Sequence, residues 1–165
     1  MKTAVLVCLA LACIGLPLMA QQTSPSTEQM IEQLRVPRTR SLRNLTVEAT
    51  PEPKRSLSLL VQFDFNSARV RPESLPVLAS LANAVMSEEL RTARFSIEGH
   101  TDAKGSADQN LKLSVQRAQS VKAALVGHGV DGESLITSGK GSTELANHEK
   151  PFASENRRVR IVNLE

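Results

Sequence analysis

Gly99-His100-Thr101-Asp102 puts a carboxylate directly after a short apolar run, and a Gly/Ser-rich turn separates it from a helical segment carrying Arg117. A loop carboxylate and a helix guanidinium can together hold a small molecule bearing both an ammonium and a carboxylate, each charge meeting its opposite through charge-assisted hydrogen bonds. Asn110, Leu113 and Ser114 precede Arg117 by seven, four and three residues and so share its helix face, near the helix start. Spacing alone leaves two plainer readings equally open: an Asp102–Arg117 salt bridge, or an exposed arginine.

Arg157 adds a third charged point. It has the strand parity of Val159 and Ile161, which places it at the inner edge, whereas Arg158 and Arg160 face outward. A guanidinium on an inner face needs a partner, which either a protein carboxylate or a ligand supplies. His100 beside Asp102 invites a metal or acid-base reading. Yet His100, His128 and His148 fall in three separate segments without zinc-site pairing, and no Ser/His/Asp or Cys/His set can be placed. Binding without catalysis, metal or cofactor is therefore expected. Gly127-His128-Gly129-Val130-Asp131-Gly132 satisfies the dinucleotide pattern GxGxxG, but it follows a helix instead of opening one, so it reads as a helix stop and a turn.

The elements that must position these residues follow from periodicity. Leu57, Leu59, Val61, Phe63 and Phe65 alternate with mostly polar residues and predict a half-buried strand. Leu75, Leu78, Ala82 and Val85 form a helical stripe; Pro76 is tolerated only in a first turn, which favours Ser74 over Arg71 as its cap. Residues 94–98 form a second strand, with Phe95 and Ile97 inward, that runs into the Gly99 loop. A helix over 110–126 buries Leu111, Val115, Ala118, Val121 and Leu125 and ends at Gly127. A short strand at 135–137, a turn at Gly139-Lys140-Gly141 and a strand at 158–164 complete the pattern. Two strand-helix units followed by two strands predict an α/β (α+β) sandwich, β-α-β-α-β-β, with a mixed sheet and its helices on one face.

The 165 residues suit one domain with appendages. Residues 1–20 have the layout of a secretory signal peptide: Lys2, an apolar run from Ala4 to Gly15, Pro17, then Ala20 before Gln21. Both cysteines, Cys8 and Cys13, lie inside it, so the exported chain relies on no disulfide; a lipid-modified Cys13 is the competing reading. Losing Lys2 leaves 19 basic against 17 acidic residues, and with no Trp or Tyr and four Phe a nucleic-acid partner is disfavoured. Residues 21–55 read as a polar extension. It holds a capping box at Ser26 to Gln29 ahead of a short helix, an edge strand over Leu45 to Ala49, and a basic segment at Arg35, Arg38, Arg40 and Arg43.

Several pieces together resemble the C-terminal domain of outer membrane protein A and its relatives, which include the peptidoglycan-associated lipoprotein and flagellar stator domains. They are Phe63-Asp64-Phe65-Asn66-Ser67-Ala68, Gly99-His100-Thr101-Asp102, Gly105, Asn110, Leu113-Ser114, Arg117-Ala118, Val121, Gly139 and Asn156-Arg157-Arg158-Val159, in family order from about Leu57 to the C-terminus. The resemblance implies a non-catalytic module over residues 56–165, in the periplasm or at the outer membrane, that grips diaminopimelate of the peptidoglycan stem peptide. By that likeness Asp102 takes the ligand ammonium and Arg117 its carboxylate, while Thr101, Asn110 and Arg157 shape the pocket. Two departures stand out: Ala153 occupies a position where many relatives carry arginine, and Lys140 one where an aromatic is common. Homodimers on the repeating polymer would raise avidity. The alternative function is a protein-interaction module whose basic N-terminal segment holds an envelope partner.

Overall fold

A computed structural model describes residues 24–36 and 54–165. The leader, Cys13, the strand expected at Leu45 to Ala49 and three of the four N-terminal arginines lie outside them. The described elements are α1 (Thr27–Leu34), β1 (Ser56–Leu59), α2 (Leu75–Val85), β2 (Phe95–His100), α3 (Ala107–Gly127), β3 (Leu135–Gly141) and β4 (Val159–Asn163), with three short 3-10 turns between them. From β1 onward this is the expected β-α-β-α-β-β order, an α+β fold with a mixed four-stranded sheet.

The sheet runs β1-β4-β2-β3. The central strands β2 and β4 are antiparallel, as are β1 and β4, whereas β2 and β3 are parallel and need the long crossover that α3 provides. Leu57, Leu59, Phe95, Ile97, Leu135, Val159 and Ile161 are buried beneath α2 and α3, with Leu78, Leu81, Ala118, Val121 and Leu125 from the helices. α3 approaches the sheet very closely because Gly99 and Gly139 lie beneath it. A Cβ on Gly99 would sit 2.1 Å from the Ser114 carbonyl oxygen, and one on Gly139 2.5 Å from Ser114 Oγ. Ser114 Oγ fills the seam, donating to Leu111 O at 2.7 Å and accepting from Gly141 N at 3.0 Å.

α1 forms as its capping box predicts: Ser26 Oγ accepts from Gln29 N and Gln29 Oε1 accepts from Ser26 N. Met30 and Leu34 are fully buried. Asn163 Nδ2 donates to Leu34 O at 3.0 Å, tying the helix end to the last strand.

Five expectations are corrected. The first strand stops at Leu59: Phe63 bridges to Val70, Asn66 turns the chain at a φ of 47°, and Phe65 at the loop tip is 96% exposed. Ser74 does precede α2, but its hydroxyl accepts from Gln62 N at 2.8 Å and caps nothing in its own helix. α3 starts at Ala107, capped by Ser106, so Arg117 sits mid-helix and Leu111 is exposed. Gly127 is the last helical residue, and the left-handed stop is Gly129 at φ 96°. Gly139-Lys140-Gly141 is no turn: β3 runs through it, because the absent side chains admit α3.

Candidate functional site

The loop between β2 and α3 is built by Asp102 and Asn110. Asp102 Oδ1 accepts from Lys104 N at 3.1 Å, an Asx turn that fixes the carboxylate against its own backbone. Asn110, on the first turn of α3, donates through Nδ2 to Asp102 O at 3.3 Å and Lys104 O at 3.1 Å, closing the loop from below. Thr101 N donates to Gly141 O at 2.8 Å and Ala103 N to Pro151 O at 3.0 Å, so β3 and the loop before β4 hold the same segment. Thr101 Oγ1 is buried without a hydrogen-bond partner among the described residues.

Arg157 does not follow the strand parity. It lies before β4, at the end of a 3-10 turn, and its side chain is 46% exposed. Its Nη1 donates to Asp102 Oδ2 at 2.8 Å. The ion pair foreseen as a plain alternative thus exists, but with Arg157 instead of Arg117. What places Arg157 there is Asn156, which is fully buried. Asn156 Nδ2 donates to Lys150 O at 2.9 Å, Pro151 O at 3.1 Å and Asn147 O at 3.3 Å, and its Oδ1 accepts from Asn147 N at 2.9 Å. Asn156 was visible in the sequence only as part of the Asn-Arg-Arg run; its organising role depends on contacts five to nine residues away within an irregular loop.

Arg117 is 8% exposed. Its Nε donates to Ser67 O at 3.1 Å and its guanidinium lies 4.8 Å over the Phe63 ring, a stacked contact that orients the plane. No described residue forms an ion pair with it. Burial, and then the neighbouring Arg157 charge, lower its pKa, and Asp102 partly offsets them. Arg117 and Arg157 line one cavity of about 280 Å³ with Leu60, Val61, Gln62, Phe63 and Ser154. Asp102 borders this cavity through Arg157; Thr101 and Asn110 support the loop and do not line it.

His100 points to the sheet face opposite the helices, away from the Arg117 side. Its Nδ1 is 3.1 Å from Glu144 O, and Glu98, Lys140, Arg158 and Arg160 surround it. Glu98, His100 and Glu144 each bring a ligand-type atom within 4.8 Å of the others, a grouping hidden from histidine spacing because two of its members are carboxylates from different elements. Of the basic N-terminal residues, Arg35 is described and pairs with Glu32 at 2.9 Å.

Residues 62–159 match the OmpA family. The chain is 37% identical over 101 residues to outer membrane protein A of Bordetella avium, covering 60% of this chain and 51% of that protein. It is 36% identical over 104 residues to the peptidoglycan-binding protein ArfA of Mycobacterium bovis, covering 62% of this chain and 31% of that one. It therefore spans about half or less of these relatives. The peptidoglycan-associated lipoprotein of Burkholderia pseudomallei shares the fold with a TM-score of 0.55 at 29% identity, covering 64% of this chain and 88% of that structure.

Proposed function

The chain belongs to the OmpA family, and from that premise we propose that residues 56–165 bind peptidoglycan in the bacterial cell envelope without cutting it, through diaminopimelate of the stem peptide. The observation that carries this reading is Arg117: a largely buried guanidinium, oriented by Ser67 O and the Phe63 ring, that faces a cavity with no described carboxylate paired to it. A buried cation of this kind is stabilised by an anion that the ligand brings.

The ammonium half falls to Asp102. Arg157 Nη1 donates to the carboxylate oxygen where a ligand ammonium would sit. Being half exposed, Arg157 can swing aside and leave Asp102 Oδ2 to the ligand, while the Asx turn keeps Oδ1 in place. Diaminopimelate carries an ammonium and a carboxylate on one carbon at the free end of its side chain, where lysine has an ammonium alone. Arg117 thus distinguishes the two. The buried Thr101 hydroxyl has hydrogen-bonding capacity left for the loop or the ligand.

Localisation on the periplasmic side of the outer membrane fits this reading, and no helix among the described residues is long and apolar enough to cross a membrane. Two copies on one polymer would bind with avidity beyond either site. Sedimentation with purified peptidoglycan tests the function: the wild type should pellet with it and Arg117→Ala should remain in solution. Equal pelleting of both, or soluble fragments released from the polymer, would sink the reading.

A further inference from the structure

The helix-free face of the sheet carries a second polar cluster that the wall-binding site does not use. His100 closes β2 with its ring 0% exposed. Its Nδ1 lies 3.1 Å from the Glu144 carbonyl oxygen, which can only accept, so Nδ1 carries the proton and Nε2 presents a lone pair. That Nε2 has no hydrogen-bond partner among the described residues. Opposite it, 4.0 Å away, is Glu98 Oε2, a buried atom likewise without a hydrogen-bond partner among the described residues. Arg160 Nη1 lies 3.8 Å from the same carboxylate oxygen, beyond hydrogen-bond distance, so the two facing lone pairs leave room for a group that both can hold. The Glu144 carboxylate closes the third side, all three donor atoms lying within 4.8 Å of one another.

We propose that Glu98, His100 and Glu144 form a binding site for a divalent transition-metal cation of the zinc class, on the sheet face away from the Arg117 cavity. One imidazole nitrogen and two carboxylates make a three-ligand set of the kind that leaves a fourth position for water. The Nδ1–H to carbonyl contact is the orienting bond that metal-ligating histidines usually make through their second nitrogen. A tetrahedral ion about 2.1 Å from each donor would set neighbouring donors about 3.4 Å apart, which asks the Glu98–His100 pair to close by roughly half an ångström and the widest-spaced donors by up to about 1.4 Å.

A cation already holds part of this place. Lys140 Nζ lies 3.0 Å from Glu144 Oε1 and 3.6 Å from Glu98 Oε1. Its 30% exposed side chain can turn out to solvent when an ion enters. Arg160, 3.8 Å from Glu98 and 3.9 Å from Glu144, and Arg158, whose Nη2 donates to Glu144 O, stay close. Their charge weakens metal binding without removing a ligand.

The test is calorimetric titration of the chelator-stripped full chain with zinc sulfate, with cobalt(II) absorption reporting coordination. The expected result is one saturable equivalent, at least tenfold weaker in Glu144→Gln and several-fold tighter in Lys140→Met. Glu144 is half exposed and its backbone carbonyl is untouched by that substitution, so the variant should fold. Peptidoglycan sedimentation should be unchanged in Glu144→Gln, which separates this site from the wall-binding one. Unsaturable binding, equal affinity in Glu144→Gln, or binding confined to Lys140→Met would each overturn the proposal.

Discussion

His100 should make the metal-free protein acid-labile well above the range in which carboxylates titrate. Burial chiefly, and then Arg158, hold its pKa at about 4 against 6.5 when unfolded, while the Glu144 carbonyl and carboxylate oppose the shift. Arg160 faces the same ring, and Glu98, the other acid beside it, is paired in turn with Lys140. Above pH 6.5 the imidazole is neutral in both states and costs nothing. As the pH falls below 6.5 the unfolded chain takes up a proton that the folded chain refuses, so stability declines by about 1.4 kcal/mol per pH unit until about pH 4. The full loss is on the order of 3 kcal/mol, of which about 2.5 kcal/mol should be gone at pH 4.5. Urea unfolding with a chelator present, at pH 7.5 and 4.5, gives the difference for the wild type. His100→Gln, which can keep a donor toward Glu144 O, should lose markedly less over the same interval. Equal losses in the two proteins, or an NMR titration placing the His100 pKa at 6 or above, would refute this account of the buried ring.

Gly99→Ala should destabilise the fold by about 2 to 3 kcal/mol in chemical unfolding, because its methyl would meet the Ser114 carbonyl and lift α3 off the sheet. Asn156→Ala removes four hydrogen bonds from a fully buried side chain, so it should cost about 3 kcal/mol in chemical unfolding. Ser74→Ala leaves Gln62 N without its acceptor and should cost about 1 kcal/mol in thermal or urea unfolding, with peptidoglycan binding retained. Arg157→Ala should release Asp102 and lower selectivity for ligands bearing a carboxylate beside the ammonium, measured as the ratio of affinities for diaminopimelate and lysine peptides.

Much of this fold is legible in local pattern. The Ser26–Gln29 box and the alternation at Leu57–Leu59 each reflect short-range physics that the structure repeats. Legibility fails where a residue's environment is set from elsewhere. Phe65 continues the alternation in sequence, but Asn66 turns the chain and strands that ring in solvent. Glycines at 139 and 141 look like a turn, yet they serve as the floor on which α3 packs. Asp102, Arg117 and Arg157 are readable as types and positions. Their pairing is not, since the partner choice depends on how Asn156 folds the loop before β4. Glu98 and Glu144 gave no signal beside His100, because a cluster drawn from β2 and a loop after β3 exists only once the sheet is assembled.

The central claim is that a buried Arg117, with no ion-pair partner among the described residues, awaits a ligand carboxylate while Asp102 takes the adjoining ammonium. Calorimetric titration of the full chain with a diaminopimelate stem peptide, and with its lysine counterpart, addresses it most directly. The expected result is saturable binding of the diaminopimelate peptide, weaker by at least tenfold in Arg117→Ala and in Asp102→Ala with folding intact, a loss in the range of one charge-assisted hydrogen bond. Equal affinity for the two peptides, or binding undiminished in Arg117→Ala, would contradict it.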